Sequence, residues 1–158
     1  MKIQASITIP YAVANYAEMR DRGFYYVDKT DYIPRLEAYN APVFLRPRRF
    51  GKSLLVSTLE NYFLGKKELF QGLAIEKLEK NWYVHPVFKI DFNGVAYKEK
   101  GQLTETILFY IGEWEKIYGK TPVDAPIGKR FESLLKQAFE QTGRRTVVLI
   151  DDVPEPIL

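Results

Sequence analysis

Gly51, Lys52 and Ser53 stand together inside the stretch LRPRRFGKSLL, residues 45–55. A glycine lets the backbone wrap closely or take a positive φ. A lysine beside it can reach the β and γ phosphates of a nucleotide, and a serine hydroxyl one residue on can sit on Mg2+. This is the second half of the phosphate-loop pattern. The full pattern has glycine at position 46, where this chain carries Arg46. A bare Gly-Lys-Ser is a weak signal, and its plainer alternative is a basic loop capping a helix. The surroundings strengthen it. Pro42, Val43, Phe44 and Leu45 precede the loop, and Leu54, Leu55, Val56 and Leu59 follow it.

A second constellation closes the chain. In TVVLIDD, residues 146–152, an apolar run delivers two acids, Asp151 and Asp152. Open α/β sheets carry their ligands at the carboxyl ends of their strands. There Asp151 can hold Mg2+, usually through water, opposite Ser53. Asp152 can orient or deprotonate an attacking water, and the alternative is that both acids only solvate a strand end. Arg46, Arg48, Arg49 and Lys52 form a basic cluster with no acid inside it, which favours an anion. Arg48 and Arg49 are candidates for phosphate contact. Nucleic-acid backbone and plain salt bridging are the weaker alternatives, since no basic face or nucleic-acid motif accompanies them. Tyr25, Tyr26, Trp82 and Tyr83 fit packing better than base stacking, and His85 fits a structural place at a strand start.

The bulk numbers exclude several chemistries. The 158 residues suit one modest domain, and 46% hydrophobic residues can supply a core. Cysteine is absent, so disulfides, thiol catalysis and Cys-based zinc sites are ruled out. One histidine cannot build a His-rich metal cage. The net charge of +3 is mild. No secretory leader or bilayer-length apolar run is visible, so a cytoplasmic protein without a membrane partner is expected.

The elements that must position these residues follow from periodicity and caps. Asn15 with Glu18 makes a capping-box pattern for a first helix that Gly23 would end. FYYVDKT, residues 24–30, reads as a short strand or extended loop. Thr30 is the expected cap of a second helix, with Pro34 tolerated in its first turn. Residues 42–46 read as a buried strand, and a helix begins near residue 52 and ends at Gly65. ELFQGLAIEKLEK reads as a turn and a short helix. HPVFKIDF, residues 85–92, is a strand with Pro86 harmless at its start. The stripe Leu103, Ile107, Tyr110, Ile111, Trp114 and Ile117 predicts a helix over 102–118. Asp124 is the expected cap of a further helix that stops at Gly143, before the last strand. Apolar strands alternating with helices predict an α/β fold, a largely parallel sheet with helices on both faces.

Four stretches carry a family resemblance. They are MRDRGFYYVDKTDYI, FLRPRRFGKSLLVSTLENYF, LFQGLAI with HPVFKIDF, and VVLIDDVPEPIL. Together they resemble the AAA-ATPase-like family of predicted bacterial and archaeal ATPases, in which Arg-Pro-Arg-Arg-Phe-Gly-Lys is a usual phosphate loop. Arg46 is therefore ordinary for that family. The resemblance implies a P-loop NTPase-like fold, with residues 1–158 forming the N-terminal part of such a domain. It implies ATP and Mg2+ as cofactors, with weak ATP hydrolysis. Arg48, Arg49, Phe50, Gly51, Lys52 and Ser53 would be the nucleotide-binding (Walker A) residues. Ser53 and Asp151 (Walker B) would meet the metal, and Lys52 and Asp152 would be catalytic.

The chain departs from the family pattern in one place. Asp152 stands where a glutamate is usual, and Val153, Pro154 and Glu155 stand where tyrosine, aspartate and lysine are usual. A shorter acid predicts a weak or shifted base. Relatives are usually several hundred residues long, some with a nuclease-like domain. The resemblance thus implies a domain cut off after its acidic strand and an incomplete sheet. The 42–46 strand would lack a neighbour, and self-association through that unpaired edge is expected. A catalytically inactive remnant or protein-interaction domain is the alternative to a nucleotide-binding ATPase-like domain. Nucleic-acid binding is not expected of this fragment.

Overall fold

A computed structural model describes residues 8–45, 47, 49–93 and 101–153. The chain divides into two compact units, Met1–Tyr83 and Val84–Leu158.

The first unit is helical and loop-rich. Helix α1, Tyr16–Asp21, begins at Asn15, whose side chain accepts the Glu18 N–H. Only half of the expected capping box forms, because the Glu18 carboxylate pairs with Arg22 at 2.9 Å instead. Gly23 follows with φ 63° and ends the helix. Thr8 and Phe24 form an isolated parallel bridge, so FYYVDKT is loop rather than strand. A 3₁₀ turn, Thr30–Tyr32, runs into α2, Ile33–Glu37, with Pro34 in its first turn. Thr30 does not cap this helix; its hydroxyl is engaged elsewhere.

Helix α3, Lys52–Phe63, follows the basic loop. It closes with a pair of hydrogen bonds typical of a glycine stop: Gly65 N–H donates to Tyr62 C=O at 2.9 Å and Lys66 N–H to Asn61 C=O at 3.1 Å. A 3₁₀ turn, Lys67–Phe70, and α4, Ala74–Leu78, complete the unit. Tyr16 and Phe70 are fully buried, with ring centroids 5.0 Å apart. Trp82 packs on Phe70 at 5.2 Å and Tyr26 on Tyr16 at 5.3 Å, whereas Tyr25 is exposed.

The expected strand at 42–46 is corrected. Pro42–Leu45 form no strand, Val43 is 80% and Leu45 88% exposed, and Arg46 lies outside the described residues. Apolar character makes a segment able to pair, but a strand exists only where backbone N–H and C=O groups find a neighbour. None among the described residues pairs with this segment.

The second unit is α/β. Strand β1, Val87–Asp91, and strand β2, Val147–Asp151, form a two-stranded parallel sheet. Val87 pairs in register with Val147 and Asp91 with Asp151. Two helices lie between them in sequence, α5, Gln102–Tyr118, and α6, Ile127–Thr142. The crossover that parallel pairing demands is thus made of helix. Phe88 and Ile90 of β1 bury one face against Ile111 and Trp114 of α5 and Leu134 and Ala138 of α6. Val148 and Ile150, in register with Phe88 and Ile90, stay partly exposed. Within this unit α5 and α6 cover the sheet face that carries Phe88 and Ile90.

Asp124 is not the cap of α6. The helix starts after Pro126, whose carbonyl accepts the Lys129 and Arg130 N–H groups, and it ends at Gly143 with φ 64°. Helices α5 and α6 are joined by a buried ion pair, Arg130 Nη2 to Glu115 Oε1 at 2.9 Å. Thr121 donates to the same carboxylate through both its hydroxyl and its N–H. The hydrogen bonds from Thr121 and Arg130 outweigh burial and hold the Glu115 carboxyl down to about 2.

Candidate phosphate loop and acidic strand end

The loop residues that the sequence singles out lie at the start of α3. Gly51 is its N-terminal boundary, with φ 74° and ψ 22°. A Cβ built on Gly51 would meet nothing within 4 Å, so the glycine is required by backbone conformation and not by space. Its carbonyl accepts the Leu55 N–H at 2.9 Å, the first bond of the helix. Gly51, having no side chain, contributes no cap bond at this end. First-turn N–H groups of a helix lack helical partners, and the helix dipole adds positive potential there. A helix end of this kind suits an anion.

Lys52 and Ser53, the first two helical residues, are half-buried. Arg49 takes φ 66°, a left-handed conformation that L-residues with a long side chain seldom adopt. Arg49 and Gly51 thus bracket the exposed Phe50 with two left-handed turns of chain. Arg48, the remaining loop candidate, lies outside the described residues.

α3 is held by apolar and polar contacts together. Ser57, Thr58, Leu59, Asn61 and Tyr62 are buried on it, and Tyr62 packs on Phe70 and Trp82. The Ser57 hydroxyl accepts the Tyr16 N–H at 2.9 Å, and the Tyr16 hydroxyl donates to Leu69 C=O at 2.9 Å. Arg20 donates to Leu69 C=O through Nε at 2.8 Å and to Gln71 C=O through Nη2 at 2.7 Å. Asp28 Oδ1 accepts from the Thr30 hydroxyl and N–H, while Oδ2 accepts the Ala74 N–H at 2.7 Å. Thr30 Oγ1 in turn accepts the Ile75 N–H at 3.1 Å. Asp28 and Thr30 therefore cap α4 from a distant part of the chain. Burial pushes the Asp28 carboxyl up, but the bonds from Thr30 and Ala74 outweigh it and hold the carboxyl low. These two residues, and Arg20, build the frame of the unit. Lys29 stays exposed.

The acidic residues belong to the second unit. Asp151 ends β2 and is 5% exposed. Asp152 follows it in a left-handed conformation, φ 49°, and is exposed. Aspartate tolerates that conformation better than most residues. Val153 is exposed, and positions 154 and 155 lie outside the described residues. Asp91, paired with Asp151, was not singled out from sequence, although FKID and VLID end alike. His85 fixes the strand entrance: its Nδ1 lies 2.9 Å from Arg145 C=O. No group of three metal-ligating side chains occurs among the described residues. Likewise, no helix among them is long and apolar enough to cross a membrane.

The chain thus carries a glycine-lysine-serine helix start and an acid at a strand end. The family described as Predicted AAA-ATPase, AAA-ATPase-like, matches residues 10–158, and the chain belongs to it. A curated relative from Azotobacter chroococcum mcd 1, "Uncharacterized protein in vnfD 5'region", is 35% identical over 152 residues. That match covers 95% of this chain and 30% of the relative, so the chain spans about a third of the relative's length. No solved structure matches the chain.

Proposed function

We propose that the chain binds a nucleoside triphosphate with Mg2+, ATP being the nucleotide its family implies. The observation that carries this reading is the start of α3, where Gly51 is left-handed and Lys52 and Ser53 open the first turn. In this reading the α3 first-turn amides, Lys52, and the loop residues Arg48, Arg49 and Phe50 hold the phosphates. Ser53 and Asp151 are the Mg2+-associated groups. Membership in a family of predicted ATPases supports the assignment.

Hydrolysis is the finer step of the same reading. It would rest on Lys52 stabilising charge on the transferred phosphoryl group and on Asp152 orienting water. Asp152 has a side chain one methylene shorter than glutamate, so we propose slow turnover relative to binding. A location in the cytoplasm and self-association through unpaired strand edges are further parts of this proposal.

Backbone amide signals provide the test. Titrating 15N-labelled chain with Mg2+ and ATP should shift the amides of residues 51–54 more than those at the α3 C-terminus. Shifts elsewhere with none at 51–54 would contradict the assignment.

A further inference from the structure

Strand β2 uses one of its two edges. The Val147 N–H donates to Pro86 C=O at 2.9 Å, and Asp151 C=O accepts the Phe92 N–H at 3.1 Å. Backbone groups alternate along a strand, so those of Val147, Leu149 and Asp151 face β1 and those of Val148 and Ile150 face away. The outward groups of Val148 and Ile150 meet no backbone partner among the described residues. The outer edge of β1 differs. There the Tyr110 hydroxyl accepts the Asp91 N–H and donates to Asp91 C=O, each at 3.1 Å. One outer edge of the sheet is thus blocked at its end, and the other is left open along an apolar strand.

Val148 is 38% and Ile150 47% exposed beside that open edge. An exposed apolar strand edge is a template for another strand. The charges around it select which one. RRTVVLIDD, residues 144–152, has two arginines at one end and two aspartates at the other. A second copy laid antiparallel, with Val148 opposite its own counterpart, brings Arg144 and Arg145 of each copy to Asp152 and Asp151 of the other. The same register sets Ile150 opposite Thr146, and these residues, like Val148, turn their backbone groups outward by the same alternation. Sliding the copy by two residues would put Arg145 opposite Val153 and lose the match. A parallel copy would set like charges side by side, which is unfavourable. The matched arrangement is a two-fold one, the commonest symmetry of soluble assemblies.

We propose that the open edge of β2 binds the same edge of a second copy of this chain, antiparallel about a two-fold axis at Val148. The proposal rests on the self-association part of the reading above, gives it an edge and a register, and needs neither nucleotide nor Mg2+.

Sedimentation equilibrium of the whole chain without nucleotide reads the dimerisation constant. Wild type, Arg144→Glu and Asp152→Arg are compared after circular dichroism shows equal folding. Each variant alone sets like charges together and should dimerise at least tenfold more weakly than wild type. An equimolar mixture of the two restores opposite charges across the edge and should associate more tightly than either alone. A wild type that stays monomeric up to millimolar chain, or a dimer indifferent to both charges, would overturn the proposal. A second readout uses the absence of cysteine from the chain. Opposed residues of a hydrogen-bonded antiparallel pair have Cα atoms about 5.5 Å apart, within disulfide reach. Val148→Cys should therefore oxidise to a disulfide dimer faster than Val123→Cys, at a position 79% exposed on the α5–α6 connection. Equal rates would also overturn it. Nucleotide binding by a chain that stays monomeric would sink this edge and spare the nucleotide site. A dimer with these charge and cysteine responses that binds no nucleotide would do the reverse.

Discussion

The Ser57 hydroxyl accepts the backbone N–H of Tyr16 at 2.9 Å, so the first amide of α1 is satisfied by the helix that begins at Lys52. The bond is buried, and Tyr16 is fully enclosed. Removing the acceptor leaves a buried donor unpaired, which costs about 1–3 kcal/mol. Ser57→Ala should therefore lower unfolding free energy by about that amount in a urea titration. Ser57→Thr, which keeps the hydroxyl, should recover part of it.

Gly51 gives a sharper test of backbone conformation. Its φ of 74° is left-handed and its Cβ direction is open. Gly51→Ala should cost about 1–2 kcal/mol through backbone strain alone. Because that strain is relieved by rotating the α3 start, the variant should also lose nucleotide affinity at a stability that still leaves the chain folded. Equal affinity in Gly51→Ala would show that the left-handed turn is not what forms the site.

Much of the second unit was legible in the sequence because its signals are local. The apolar stripe of α5 and the continuous runs of β1 and β2 each carry their own period, and the structure has them at Gln102–Tyr118, Val87–Asp91 and Val147–Asp151. Residues 42–46 misled because apolar β-branched character is local while strand pairing is not. Thr30 misled for a related reason. It stands just before a helix, as a cap should, yet its hydroxyl is occupied by Asp28 and by Ile75 N–H from 45 residues on. The neighbourhood of Asp91 and Asp151 depends on strand register, which no single strand announces. The left-handed φ of Gly51 was legible, since glycine before a lysine-led helix invites it.

Acid should destabilise the chain from two places. The Asp28 and Glu115 carboxyls are both held below their ordinary values in the folded protein, Glu115 to about 2. A depressed folded value means that the unfolded chain binds more protons in the window between the two values. The stability from these groups is thus complete above about pH 4.5, the ordinary glutamate value, and is lost as pH falls towards about 2. The melting temperature should fall over that window. Glu115→Gln should flatten the low-pH limb of the curve.

The Glu115–Arg130 pair also makes a prediction at neutral pH. Both side chains are largely enclosed, 6% and 12% exposed. Removing the carboxylate strands the guanidinium, and breaking a buried pair in this way costs about 3–5 kcal/mol. Glu115→Ala should lose stability on that scale, and a double Glu115→Leu, Arg130→Met variant should recover most of it. An unchanged denaturation midpoint in Glu115→Ala would show that the Glu115 carboxylate and its bonds to Arg130, Thr121 and Lys120 do not hold α5 to α6.

The most direct measurement is equilibrium titration of the folded chain with a fluorescent ATP analogue, with and without Mg2+, beside Lys52→Ala. The account predicts saturable binding by the wild type that Mg2+ strengthens, with at least tenfold loss in Lys52→Ala at unchanged circular dichroism. Absence of binding by folded wild type at millimolar nucleotide, or equal binding by Lys52→Ala, would contradict it.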